Sequence, residues 1–285
     1  MIEWLVNGNT AVITGGASGI GLAAARRLLG SGLNVVIGDA DESHLHSAQE
    51  ALARIDGSGA TFHLQRCDVT NPADLQALCD SAYDRFGQVH CLMNNAGAGL
   101  PPSLPWENAE RWHRQLDINL WGIIYGCQTF IPRMLEQGQA GAIINTGSKQ
   151  GITNPPGNYA YNLSKAGVKA YTESVAHALR ETEGCRLSAH LLIPGFTYTG
   201  MIARFIKEQP PSAWSPDEVV EFLIKALEQG DFYVLCPDND TPRELDARRI
   251  QWNTDDLIHN RPALSRWDAR FEQAYNSFIN ESDTS

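Results

Sequence analysis

Two residues of this chain have the types and the spacing to move a proton together. Tyr161 and Lys165, in Tyr161-Asn162-Leu163-Ser164-Lys165, stand at i and i+4, which on a helix places the phenol and the ammonium on one face. A free phenol has a pKa of about 10, and a neighbouring cation stabilises the phenolate and lowers it. Such a tyrosine exchanges a proton with an alcohol near neutral pH. The spacing alone fits a surface tyrosine beside a solvated lysine equally well. No other tyrosine, Tyr159 and Tyr171 included, has a lysine four residues on.

A second group is suited to a phosphate. The run Ala11-Val12-Ile13 leads into Thr14-Gly15-Gly16-Ala17-Ser18-Gly19-Ile20-Gly21 and then into a helical pattern from Leu22. Glycines at 15, 19 and 21 permit a tight turn and a close approach of backbone to a pyrophosphate, whose charge then sits at the positive N-terminus of the helix. The strand-turn-helix context is what separates such a run from a plain glycine turn. The next β-branched run, Asn34 to Gly38, ends at Asp39, 25 residues beyond Thr14 (39 − 14). A carboxylate there accepts from both ribose hydroxyls and repels a 2′-phosphate, which favours NAD over NADP. Neither Ala17-Ser18 nor Ala40 supplies the cation a 2′-phosphate needs.

Both groups need rigid elements to hold them. Short runs rich in β-branched residues alternate with helix-period segments up to about residue 237: 11–13, 35–37, 61–64, 89–93, 142–144, Leu187 to Ile193 and 232–235, separated by stretches such as Leu22 to Leu29, Pro72 to Phe86, Tyr159 to Arg180 and Pro216 to Gln229. Strand-helix alternation implies right-handed crossovers and a doubly wound, seven-stranded parallel sheet with helices on both faces, an α/β Rossmann fold. Without a linker or repeat before residue 237, residues 1–237 read as one cofactor-binding domain that also carries the catalytic site. Residues 238–285 read as a helical C-terminal extension: Trp252, Trp267, Phe271, Tyr275 and Phe278 recur at roughly helical intervals among arginines and acids. Their apolar faces call for packing on the domain or on a partner subunit.

Composition narrows the function. With 285 residues, 43% of them hydrophobic, and a net charge of −11, the chain has material for a large core and an acidic surface. That charge disfavours nucleic acid. No stretch approaches the roughly 20 apolar residues of a membrane helix, and the start Met1-Ile2-Glu3-Trp4 has no secretory pattern, so a cytoplasmic location is expected. The six cysteines are scattered with no metal-ligand spacing, which predicts buried thiols and no metal site.

Taken in order, these motifs resemble the short-chain dehydrogenase/reductase superfamily, in its soluble branch of about 250 residues. Thr14 to Gly21 is similar to the family's TGxxxGxG turn, and Asp68-Val69 to its adenine-side segment. Asn94-Asn95-Ala96-Gly97 is similar to its NNAG motif, Asn119 to its active-site asparagine, and Ser148, 13 residues before Tyr161 (161 − 148), to its catalytic serine. Pro194-Gly195-Phe196-Thr197-Tyr198-Thr199 resembles the segment that holds the nicotinamide carboxamide. The resemblance covers residues 9 to about 237. It implies that Asn119, Ser148, Tyr161 and Lys165 are catalytic, and that Gly15, Ser18, Gly19, Ile20, Gly21, Asp39, Asp68, Val69, Asn95, Ala96, Gly97, Tyr161, Lys165, Pro194, Gly195, Thr197 and Thr199 bind NAD(H). It assigns Tyr161 as general acid/base and has Lys165 lower its pKa and bond the nicotinamide ribose. Ser148 would hydrogen-bond the substrate oxygen, and Asn119 would hold a relay water.

Two features depart from the family's pattern. The run Phe232 to Pro237 lacks the glycine-rich ending common in this branch, and the arginine- and tryptophan-bearing tail follows it. In many relatives that region builds a tetramer contact, so a homodimer or homotetramer is expected without a choice between them. Residues 196–214 read as a mobile lid lined by Phe196, Tyr198, Met201, Phe205 and Trp214, with only Arg204 and Lys207 as cations. The expected substrate is therefore an apolar secondary alcohol or its ketone. The alternatives are reduction of a C=C or C=N bond at the same site, or an NAD-binding regulator without turnover, against which the intact set of four catalytic residues argues.

Overall fold

The computed structural model describes residues 2–55 and 59–280. Among them seven strands form one sheet: β1 Thr10–Thr14, β2 Asn34–Asp39, β3 Phe62–Arg66, β4 Cys91–Asn94, β5 Gly141–Thr146, β6 Leu187–Ile193 and β7 Tyr233–Leu235. Their order is β3-β2-β1-β4-β5-β6-β7, and every pair is parallel. After β3 the chain crosses back to the other side of β1, so the strand order reverses between β1 and β4. Their carboxyl ends diverge there, and a crevice opens.

Both faces of the sheet are covered, and the alternation along the strands sets which residue goes where. Ala11, Ile13, Val35, Ile37, Cys91 and Met93 face a core shared with α1 (Gly19–Gly30), α2 (Glu42–Leu52) and the later α9 (Pro216–Gln229). Val12, Val36, Leu92 and Ile143 face a second core with α3 (Pro72–Phe86), α5 (Gly122–Gln137) and α7 (Tyr159–Glu181). Two-sided burial explains why these strands read as continuous apolar runs. Helix ends follow local signals. Asn71 caps α3 by accepting from the Ala73 amide, Pro72 opens it, and Gly87 at φ +74° closes it. Ser215 and Glu218 form a reciprocal capping box on α9.

The remaining helices are α4 (Ala109–Leu116), which a π-helical turn over Asp117–Trp121 joins to α5, the short α6 (Gln150–Thr153) and α8 (Gly200–Ala203), and α10 (Arg243–Ile258) and α11 (Glu272–Asn280) of the C-terminal extension. The extension has a small core of its own. Trp252 packs edge-on against Tyr275, Arg261 stacks over the Trp252 ring at 4.0 Å, and Trp252 Nε1 donates to Ser265 at 2.9 Å. Ile250 reaches the second core of the main body. No helix among the described residues is long and apolar enough to cross a membrane.

Candidate active site

The glycine turn is built by contact with the strand beside it. Gly15 and Gly19 hold φ of +61° and +53°, and a Cβ on Gly15 would stand 2.6 Å from the Ala96 Cα. A Cβ on Gly21 would stand 2.3 Å from the Gly15 carbonyl oxygen and 2.6 Å from Asn95 Nδ2. Asn95 locks the two walls together: its amide donates to Thr14 Oγ1 at 3.1 Å and its Nδ2 to the Gly15 carbonyl at 3.1 Å. At the start of α1 the Ser18 side chain makes no capping bond and the first turn holds no acid. The helix N-terminus therefore keeps its partial positive charge and its free N–H groups for an anion. Asp39 ends β2 alongside, its two oxygens accepting from the Ala17 and Asp41 amides at 3.1 Å each.

On the other side of the crevice α7 carries Tyr161 and Lys165. Lys165 is 4% exposed, and its Nζ donates to the Thr146 carbonyl at the end of β5, 2.7 Å away. Burial lowers its pKa to about 8. The partly buried Tyr161 hydroxyl hydrogen-bonds Ser148; burial raises the phenol above its ordinary range, and the Ser148 bond pulls the other way. The ammonium lies 5.8 Å from the centre of the Tyr161 ring and is turned to the Thr146 carbonyl. Desolvation thus sets the direction at the phenol, in contrast to the lowering that their spacing suggests. Beneath them Asn119 is fully buried in the π turn, its Oδ1 accepting from the Ala98 amide at 2.8 Å and its Nδ2 donating to the Ala98 carbonyl at 3.0 Å and to Ser164 Oγ at 3.2 Å.

Most of these residues line one cleft of about 940 Å³. Its walls include Gly15, Ser18, Gly19, Ile20, Asp39, Asp68, Val69, Asn95, Ala96, Gly97, Ser148, Tyr161, Lys165, Pro194, Gly195, Thr197 and Thr199. Gly21 and Asn119 do not reach the cleft wall: the first makes room for the turn, and the second braces the loop after β4. Of the five side chains expected to line the lid, Phe196 and Met201 face the cleft. The Tyr198 hydroxyl instead donates to the Ile206 and Lys207 carbonyls, Phe205 is 76% exposed, and Trp214 packs at a tilt against Phe222. Ile202, Leu100 and Arg204 complete the substrate end. Cys67, also on the wall, is inert, with burial pushing its thiol to about 12. Among the described residues no cluster of three or more His, Cys, Asp or Glu is placed to hold a metal.

The short chain dehydrogenase family model matches residues 9–210. The chain belongs to this family. It is an oxidoreductase acting on CH–OH groups, and the family's nicotinamide cofactor suits the uncapped helix end and glycine cradle described above. This dehydrogenase is 35% identical to 3beta-hydroxysteroid dehydrogenase 2 of Eggerthella lenta over 196 residues, 68% of this chain and 73% of the relative. It is 32% identical to 1-deoxy-11-beta-hydroxypentalenate dehydrogenase of Streptomyces exfoliatus over 265 residues, 91% of this chain and 94% of the relative. A short chain dehydrogenase/reductase from Burkholderia phymatum, solved in complex with NAD, superimposes with a TM-score of 0.80 at 31% identity, covering 92% of this chain and 97% of that one.

Several residues of the dehydrogenase site escape a reading of the sequence. Thr146 offers only its carbonyl to Lys165, so its side-chain type carries no signal. Gln115 clamps the loop after β4 from both ends, donating to the Ala98 carbonyl at 2.6 Å and accepting from the Leu100 amide at 3.0 Å. Thr14 is named by the turn motif, but its partner is not: its hydroxyl accepts from the Asn95 amide, 81 residues away.

Proposed function

We propose that this dehydrogenase uses NAD to interconvert an apolar secondary alcohol and its ketone, with Tyr161 as the general acid/base. Residues 1–237 then form the unit that holds cofactor and catalysis, and 238–285 an extension packed on it. The observation that carries this reading is Lys165: a buried ammonium at the cleft wall, on the same helix face as a phenol that Ser148 hydrogen-bonds.

The glycine turn and the N-terminus of α1 would hold the pyrophosphate, Asp39 the adenine-side ribose, and Lys165 the nicotinamide ribose. Each Asp39 oxygen has one backbone donor and a lone pair left for a ribose hydroxyl. Ala40, Asp41 and His44 line that end of the cleft without a lysine or arginine among them, which favours NAD over NADP. When bound, NAD supplies the hydride acceptor and, in its oxidised form, a positive ring. The protein does the rest. Ser148 and Tyr161 would orient the alcohol oxygen; once Tyr161 has given its own proton to solvent, the phenolate Oη takes the alcohol proton as the C–H bond breaks and the hydride leaves to the cofactor. The raised phenol pKa keeps Tyr161 protonated at neutral pH, so that it holds the proton that ketone reduction needs. Since both Nδ2 hydrogens of Asn119 go to Ala98 and Ser164 and its Oδ1 is turned to the Ala98 amide, a relay water on Asn119 would rest on its main chain, in the π turn. The apolar Phe196, Met201, Ile202 and Leu100 at the substrate end, and the steroid and pentalenate substrates in the relatives' names, support a bulky apolar alcohol.

Tyr161→Phe tests the assignment. Wild-type protein and variant are offered a panel of secondary alcohols, a 3β-hydroxysteroid among them, with NAD or NADP, while NADH binding is followed by fluorescence. The variant is expected to keep NADH affinity within a few-fold and to lose about 10²- to 10⁴-fold in turnover. Near wild-type turnover overturns the role of Tyr161, and equal use of NADP overturns that of Asp39.

A further inference from the structure

The first residues of the C-terminal extension meet the catalytic wall of the cleft with charge. Lys149 follows Ser148 directly, and its Nζ lies 2.6 Å from Asp246 Oδ2 on α10 and 3.3 Å from Asp238 Oδ2 just beyond β7. The two carboxylate side chains are 8% and 6% exposed, the lysine 17%. Asp238 Oδ2 also accepts from the Phe196 amide at 3.2 Å, where the 196–214 segment leaves the sheet. Gly195 makes this approach possible, since a Cβ there would fall 2.8 Å from Asp238 Oδ2 and 3.1 Å from Lys149 Nζ. The neighbouring Asn239 holds the far end of the same segment: it accepts from Trp214 Nε1 at 3.0 Å, and its Nδ2 donates to the Pro211 carbonyl at 2.7 Å. Asn253 fastens α10 to α6, donating to the Ile152 carbonyl at 3.1 Å.

A buried ion cluster gives little net stability over apolar packing of the same volume. This one places two carboxylates against one ammonium. Burial pushes the Asp246 carboxyl up, with Lys149 opposing it; Asp238 also feels burial, but the Phe196 amide and Lys149 prevail and hold it below the ordinary carboxylate range. What the cluster supplies is geometry, because three separate segments meet at one cation: the serine segment, the lid stem and the extension.

We propose that Lys149 is a positioning residue: clamped between Asp238 and Asp246, it fixes Ser148 and the stem of the 196–214 lid as one unit, so that the C-terminal extension sets the geometry of the active site. The inference rests on Ser148 being the residue that orients the substrate oxygen. It makes the extension part of the working site, although it lies beyond the residues that match the family model.

Hydrogen exchange read by mass spectrometry on the full-length, ligand-free chain tests the coupling without a substrate. In Lys149→Met, amides in 148–153, 195–199 and 211–215 are expected to exchange about tenfold faster, with those of β1 and β4 unchanged, the pattern of a local opening. In the milder Asp246→Asn, which keeps its shape and one oxygen for Lys149, the same segments should speed up about threefold. For the panel alcohol that wild type oxidises fastest, kcat should fall about tenfold in Lys149→Met, from misplacement of Ser148. Lys149→Arg, which keeps a cation between the carboxylates, should restore most of the rate. Wild-type exchange in the lid and serine segments of either variant overturns the proposal, as does unchanged kcat in Lys149→Met. If Lys149→Met does not fold, Asp246→Asn decides by exchange and by its kcat. Retained turnover in Tyr161→Phe would instead count against the site assignment and leave the exchange result to judge the clamp.

Discussion

Replacing Lys165 by methionine should make the cofactor-free protein more stable while abolishing its activity. Burial lowers the Lys165 pKa from 10.5 to about 8. At about 1.4 kcal/mol per pKa unit, keeping the ammonium charged in the folded chain at neutral pH costs about 3 kcal/mol. Methionine fills a similar volume without that cost, but it leaves the Thr146 carbonyl without its donor, a loss of about 1–2 kcal/mol. The net expectation at pH 7 is a gain of about 1–2 kcal/mol. The lysine penalty is fully present below pH 8, where Lys165 is charged in both states. It fades as pH rises from about 8 to 10.5, because the folded chain releases its proton first, and wild-type stability rises relative to the variant across that window. Urea unfolding followed by tryptophan fluorescence at several pH values between 7 and 10 gives the difference directly. A methionine variant less stable than wild type at pH 7, with a gap that does not change with pH, would refute the reasoning.

Two further outcomes follow from the cofactor end of the cleft. Asp39→Ala combined with Ala40→Arg removes the carboxylate that repels a 2′-phosphate and adds a cation to receive it, so the ratio of NAD to NADP kcat/KM should fall by at least about tenfold; an unchanged ratio rejects the ribose role of Asp39. Gly21→Ala puts a methyl group 2.3 Å from the Gly15 carbonyl oxygen, a backbone contact with nowhere to relax. It should cost about 1–3 kcal/mol in stability and weaken NADH binding at least about tenfold through a displaced turn, whereas an alanine that binds NADH normally would show that the turn has slack.

The features legible in the sequence are those fixed by local chemistry. The spans of α3 and α9 match expectation because Asn71-Pro72 with Gly87, and Ser215-Pro216 with Gly230, punctuate them. The strand 187–193 matches because its apolar run is bounded on both sides. The start of α1 was harder to place: the helix begins at Gly19, three residues before Leu22, because the glycines that read as loop are its first turn. Motif order names the candidate site residues, and the structure brings most of them to one cleft. What could not be read depends on contacts distant in sequence. The π turn around Asn119 is set by docking onto Ala98. Tyr198, Phe205 and Trp214 have the composition of a pocket lining, but the Tyr198 hydroxyl bonds within the lid, Phe205 is exposed, and Trp214 packs against Phe222. The partners of Lys149 lie 89 and 97 residues away (238 − 149 and 246 − 149), where spacing holds no periodic signal.

The crossover that reverses strand order between β1 and β4 has a consequence for synthesis. A ribosome delivers β1 and the glycine turn first, yet that turn is braced by Asn95, delivered some 80 residues later. Lys165 needs the end of β5, and Lys149 needs Asp246, within the last sixth of the chain. Pairing strands in the order 3-2-1-4-5-6-7 therefore builds the scaffold from the middle outward, and the cleft gains its parts in an order unrelated to their roles. An emerging chain could shape the phosphate turn once β4 is in place, well before the serine segment is fastened. With Lys149 positioning Ser148 as proposed above, the phosphate turn of a nascent chain is complete before the serine segment is, which then waits for α10 to leave the tunnel.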